Sequence, residues 1–359
     1  MLFQEPILQW LLQNGGFMDS QVFILNEKRN VTLTAYLQDD SQEFWRAKKR
    51  PAVVIFPGGA YAYCSDREAD PVAQEYLRAG YHAFVLRYSV GWENAVWPNP
   101  LEDYDQAMEL IAAHAKEWHL IPEKIAVIGF LAGGHLAACA ATMAKHRPAA
   151  AILAYPVILE GLAAICAKGA PGADKAVDSQ TCPCFIAATG TDTTVSAMNS
   201  LRFVEALYEN GISSELHLYA FGPHGFSTAR TSIADPAELC SRTLHWVEDS
   251  ISWLEDVFGA FTSGEMSSPR CPGRVRKDKD PYLSVNCQLA TIAGNQMAVE
   301  RLKQLILVEE TTQKWIAEQK ENLLTSEMTL RSALQFLNVP GEVIRKADEI
   351  LSEIPNRKQ

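Results

Sequence analysis

Residues 125–135, IAVIGFLAGGH, constrain the fold of this chain more than any other stretch. The apolar run Ile125-Ala126-Val127-Ile128 has the length and composition of a buried strand, and the small residues from Leu136 to Ala144 predict a closely packed helix. Between them Gly129, Gly133 and Gly134 clear the way for a sharp strand-to-helix turn. The spacing is that of the frame G-x-S-x-G, a strained turn that lifts its central residue above a sheet edge. Here the central position holds Leu131. A reactive turn is therefore expected without its reactive atom.

Seven further apolar, β-rich runs lie at residues 21–25, 31–37, 52–56, 82–88, 150–155, 184–189 and 215–219. The first two are joined by the turn-like Asn26-Glu27-Lys28-Arg29-Asn30 and predict a hairpin, while the later ones alternate with helical segments. One such helix opens at Asp70-Pro71, carries Val72, Ala73, Tyr76 and Leu77 on one face and stops at Gly80. Three more are marked by Leu101, Tyr104, Met108 and Ile111, by Leu201, Val204 and Leu207, and by Leu244, Val247, Ile251 and Leu254. The expected class is α/β: an eight-stranded, mostly parallel sheet with helices on both faces.

At Thr262 the composition shifts. Residues 262–282 carry Pro, Gly, Ser and the charge cluster from Arg274 to Asp280, and read as a solvated linker. Beyond it Val299, Leu302, Leu305 and Ile306, then Leu330 to Leu337, then Val343, Ile344, Ala347, Ile350, Leu351 and Ile354 keep a helical period. The expected division is 1–261 for the α/β domain, 262–282 for the linker and 283–359 for a small all-α accessory domain.

The formal net charge of -11 argues against nucleic acid or an anionic membrane as partner. No apolar run approaches the roughly 18 to 20 residues of a membrane helix. The opening MLFQEPILQWLLQ lacks a basic start and contains Glu5 and Pro6, so it reads as an apolar arm packed on the body rather than a signal peptide. Eight cysteines without a repeating spacing, in a chain this large, point to reduced thiols and a cytoplasmic protein. Cys182-Pro183-Cys184 lacks the spacing and companions of a metal site and reads as structural. Neither a metal nor a cofactor is expected.

Three other segments follow predicted strands. Pro57-Gly58-Gly59-Ala60-Tyr61 turns backbone N–H groups toward the carboxyl edge of the sheet, where charge developing on an acyl oxygen is held in this architecture. Ala132 N–H, in the glycine turn, is the natural second donor. Gly190-Thr191-Asp192-Thr193-Thr194-Val195 supplies an acid, and Gly222-Pro223-His224-Gly225-Phe226 a histidine. Nucleophile, acid, histidine is a known triad order. Each segment alone has a bland explanation, a plain turn or a satisfied loop histidine. Together they make a site.

Through PGGAYAYCSDRE, AGYHAFVLRYSV, EKIAVIGFLAGGHLAA, AAAILAYPVI, TDTTV and ELHLYAFGPHGF the chain resembles the α/β-hydrolase esterases that include acetyl-xylan esterase-like and bacterial feruloyl or acetyl esterase-like proteins. The resemblance runs from about Val22 to Leu254. It implies an oxyanion hole at Gly58 and Gly59, an acid at Asp192, a general base at His224 and a nucleophile position at Leu131. It also implies a small-molecule acyl ester, of carbohydrate, as substrate. Two departures stand out. Ser196 replaces the usual proline after Val195, and Leu131 replaces serine, leaving no lone pair to attack a carbonyl. Cys139 lies about two helical turns beyond the elbow, too far to reach the same point, while a nucleophile at Cys64 or Ser65, past the oxyanion turn, is conceivable but has no support in the sequence. The tail, through LSVNCQLATIAGNQMAVERL and SEMTLRSALQFLNVPGEVI, is similar to a segment appended to some gut-bacterial members. Three readings follow: an esterase, a non-catalytic binding protein on the same fold, and a leucine introduced to trap substrate, for which alanine is the usual choice. The favoured one is a family member that is catalytically impaired as written.

Overall fold

The computed structural model describes residues 19–38, 42–306 and 310–356. The apolar arm expected over the first residues lies outside the described residues. From Arg274 onward the chain forms a compact unit separate from the one that ends at Gly273.

The first unit is built on eight strands: β1 Asp19–Asn26, β2 Val31–Leu37, β3 Arg50–Phe56, β4 His82–Arg87, β5 Leu120–Phe130, β6 Ala150–Ala154, β7 Cys184–Thr189 and β8 Ser214–Tyr219. They lie in the order β1-β2-β4-β3-β5-β6-β7-β8. The pairs β1·β2 and β2·β4 are antiparallel, and from β4 to β8 every pair is parallel. The expected strands are all present. The fifth is longer than its apolar run, because Pro122, Glu123 and Lys124 hide its start in the sequence.

Helices α1 Asp70–Arg78, α2 Asn99–His114, α3 Ala132–Met143, α4 Glu160–Cys166, α5 Met198–Glu209 and α6 Trp246–Phe258 complete the unit. Every residue of β3 is buried, as a strand covered on both faces must be. Alternation divides its side chains. Ala52, Val54 and Phe56 share one core with Tyr104 and Ile111 of α2, Leu136 of α3 and Phe203 of α5, whereas Val53 and Ile55 share the other with Val72 and Tyr76 of α1 and Trp246 and Leu254 of α6. The turns that end β3, β5, β7 and β8 therefore open at one edge of the sheet, the carboxyl edge.

Residues 262–282 are not a free tether. Arg270 and Cys271 N–H both donate to Asp256 O within the first unit, at 2.8 and 2.9 Å, and Arg276 pairs with Asp278 within the second at 2.9 Å. The second unit has its own core, with Leu283, Val285, Leu302, Leu334, Ile344, Ala347 and Leu351 buried together. It is helical: α7 Leu289–Ala293, α8 Gln296–Lys303, α9 Glu310–Glu318, α10 Lys320–Thr325, α11 Leu330–Phe336 and α12 Gly341–Ser352. All eight cysteines are free thiols. Among the described residues no helix is long and apolar enough to cross a membrane.

Candidate active site

The turn between β5 and α3 places Leu131 at φ 51°, ψ -109°. A left-handed φ costs a leucine of order 1 to 3 kcal/mol, and it persists only where the surroundings enforce it. They do so here by close approach. A Cβ on Gly129 would lie 2.0 Å from Gly133 O, and one on Gly133 would lie 2.0 Å from Phe56 O. The backbone of Leu131 is also tied down, since its N–H donates to Ala154 O at 3.2 Å and its carbonyl accepts from His135 and Val157 N–H at 3.1 and 3.0 Å. Its half-buried side chain packs against both cores.

The glycine turn after β3 needs one correction to the sequence reading. Gly58 N–H donates to Glu68 Oε2 at 2.8 Å, so it is spent and cannot meet a ligand. Gly59, at φ 123°, is the member of the pair whose N–H meets no acceptor among the described residues, and Ala132 N–H at the start of α3 likewise meets none. Ser65 N–H bonds the Gly58 carbonyl at 2.9 Å, and Ala62 and Tyr63 N–H bond the Gly59 carbonyl at 2.9 and 3.3 Å.

Asp192 and His224 are brought together from the turns after β7 and β8, with His224 Nδ1 and Asp192 Oδ2 2.7 Å apart. The Asp192 side chain is 1% exposed and that of His224 17%. Asp192 Oδ1 accepts from Thr194 and Val195 N–H, both at 2.8 Å. Burial pushes the Asp192 carboxyl up, but the His224 bond and the Val195 and Thr194 N–H groups outweigh it and hold it below its ordinary value. An acceptor carboxylate facing Nδ1 makes that nitrogen the protonated one and leaves Nε2 free to take a proton.

No thiol replaces the missing hydroxyl. Burial pushes the Cys64 thiol up to about 12 and holds Cys139 well above its ordinary value. A thiol so raised carries almost no thiolate near neutrality.

Two buried side-chain networks have no signature in the sequence. In one, Glu68 joins Gly58 to Tyr155, whose hydroxyl donates to Glu68 Oε1 at 2.7 Å. In the other, His135 of α3 accepts at Nδ1 from the Tyr61 hydroxyl at 2.9 Å and donates at Nε2 to Pro171 O at 2.8 Å. Burial lowers the His135 pKa to about 4, and likewise that of His82, which accepts from Gln38 N–H and donates to Trp118 O.

The sign of the resulting pH dependence is fixed. Unfolded histidine titrates near about 6.5, above both folded values, so the unfolded chain takes up protons first as pH falls. The stability contributed by these two groups is complete above about pH 6.5 and is lost toward pH 4, at about 2 kcal/mol per histidine between pH 7 and 5. The urea midpoint should fall accordingly, and His82→Gln should remove part of the dependence. A midpoint unchanged between pH 7 and 5 would contradict this.

Comparison with known proteins gives three findings. A family model described as BD-FAE matches residues 43–157. Endo-1,4-beta-xylanase B of Butyrivibrio fibrisolvens is 30% identical over 259 residues, 63% of this chain and 38% of that protein. Acetylxylan esterase of Xylanibacter ruminicola is 28% identical over 197 residues, 49% of this chain and 41% of that protein. The chain thus spans 38% and 41% of the length of these two relatives. Among solved structures, MGS-M1, an alpha/beta hydrolase enzyme from a Medee basin deep-sea metagenome library, is 40% identical. The match covers 67% of this chain and 98% of MGS-M1, with a TM-score of 0.62.

Proposed function

This chain belongs to the α/β-hydrolase family, in its acetyl-xylan esterase-like branch, and from that premise we propose that it is a carboxylester hydrolase site without its nucleophile. In this reading the site binds small acyl esters of carbohydrate hydroxyls and turns them over only feebly. His224 is the base, Asp192 its orienting acid, Gly59 and Ala132 N–H the oxyanion donors, and Leu131 stands where the attacking hydroxyl would be. Relatives named as a xylanase and an acetylxylan esterase support the substrate class. The observation that carries the reading is the His224–Asp192 bond of 2.7 Å at the same carboxyl edge of the sheet as an elbow that still forces φ 51° on a leucine. With an attacking hydroxyl, the proton would pass to His224 Nε2 as oxygen bonds the acyl carbon, and then to the departing alcohol. A leucine methyl has neither proton nor lone pair to offer, so no acyl-enzyme forms.

We also assign residues 283–359 to an accessory unit, and the free thiols support a reducing, cytoplasmic setting.

The native protein should be inert to an aryl fluorophosphonate, which reports an activated hydroxyl, and should hydrolyse an aryl acetate at only about 10³ to 10⁴ over water. Labelling of the native protein, or fast turnover abolished by His224→Ala, would overturn the reading. Retained ester binding with no turnover at all would favour a purely binding role.

A further inference from the structure

Glu68 ends the short turn Asp66–Glu68 and is 3% exposed. Among the described residues it has no ion pair, and both its oxygens accept: Oε2 from Gly58 N–H at 2.8 Å and Oε1 from the Tyr155 hydroxyl at 2.7 Å. A buried carboxylate without a countercharge is tolerated only where its lone pairs are met. The two donors it meets belong to the two halves of the site.

The first bond holds the glycine turn. Glu68 holds the Pro57–Gly58 peptide by the Gly58 N–H, and Ser65 N–H holds the next peptide by the Gly58 carbonyl at 2.9 Å; that second plane carries Gly59 N–H, so the two bonds together clamp the turn that aims it. Only glycine admits this approach. A Cβ at position 58 would lie 2.5 Å from Glu68 Oε2 and 3.1 Å from Leu131 Cβ.

The second bond holds the histidine loop. The Tyr155 hydroxyl donates to Glu68 Oε1 and accepts from Ser227 N–H at 3.0 Å. The ring of Tyr155 stands edge-on to His224 and Phe226, with centroids 5.0 and 4.6 Å away. Ser227 Oγ in turn donates to Arg67 O at 2.6 Å, next to Glu68 in the chain.

We propose that Glu68 is a positioning residue, a single carboxylate that fixes the Gly59 donor and the His224 loop relative to each other. The inference rests on the oxyanion and base assignments above, and adds a residue that touches neither substrate nor the reacting atoms.

In a Leu131→Ser background, Glu68→Gln is expected to lower kcat for an aryl acetate by about 10- to 100-fold, the scale of a small misplacement of catalytic groups, with KM within about threefold. Tyr155→Phe should act alike, and the double variant should lose little more than either single one, because both cut the same network. A rate within about twofold of the parent, or an effect on KM alone, overturns the proposal. Should Glu68→Gln fail to fold, Tyr155→Phe decides on the same criteria, since it removes only the hydroxyl, with its bonds to Glu68 and Ser227, and keeps the ring. A second measurement does not need turnover. In the native Leu131 protein, Glu68→Gln should move the amide proton resonances of Gly58 and Gly59 together with those of Ser227 and the His224 ring. A change confined to Gly58 overturns the coupling. Coupled shifts in a protein whose Leu131→Ser variant remains silent support the clamp and refute the catalytic reading on which it was built.

Discussion

Leu131→Ser is expected to raise hydrolysis of an aryl acetate by at least about 10³-fold, and by as much as about 10⁶, the span between a triad hydrolase with its nucleophile and one without. The gain is large because the change supplies an atom and asks for no rearrangement. The elbow is held by glycine contacts and by the bonds of residue 131's own backbone, none of which involves the leucine side chain. A serine would inherit φ 51° with less bulk to place. In the proposed site His224 Nε2 takes its proton, since Asp192 already engages Nδ1. Steady-state rates on the two proteins decide the matter. A gain under about tenfold would mean that the site has drifted in more than its nucleophile.

In that serine background, Asp192→Asn is expected to cut kcat by about 10⁴ while leaving the fold intact. Asparagine fits the space and can still accept from Thr194 and Val195 N–H through its oxygen, as Asp192 Oδ1 does. Its amide nitrogen would then face His224 Nδ1 as a donor. The ring must answer by moving its proton to Nε2, the nitrogen that has to be bare in order to act as base. Retention of more than about a tenth of the parent kcat would show that Asp192 does not set the tautomer.

The strands were legible because a sheet covered on both faces demands unbroken apolar runs, as in β3 and β7. The elbow was legible because close backbone contact admits only glycine at positions 129 and 133. Gly58 and Gly59 look equivalent in sequence, while the fold turns the N–H of the first to Glu68 and leaves that of the second without an acceptor among the described residues. Glu68 lay in the charged run Ser65-Asp66-Arg67-Glu68, where a solvated face is the ordinary expectation, and only the fold buries it. Tyr155 and His135 were equally silent, since their bonds to Glu68 and Tyr61 join residues 87 and 74 positions apart.

The helical unit enters and leaves its own fold at one place. Leu283 N–H donates to Ile354 O at 3.0 Å and Asn356 N–H to Pro281 O at 2.8 Å, while the Asn356 side-chain amide reaches Asp278 O and Asp280 O at 2.7 and 3.0 Å. A body with coincident ends is portable, because it can be spliced beside another protein without stretching either flank. Its junction is closed by bonds made within the unit. A body closed on itself in this way presents a surface of its own, and that surface is where a role for it is to be sought.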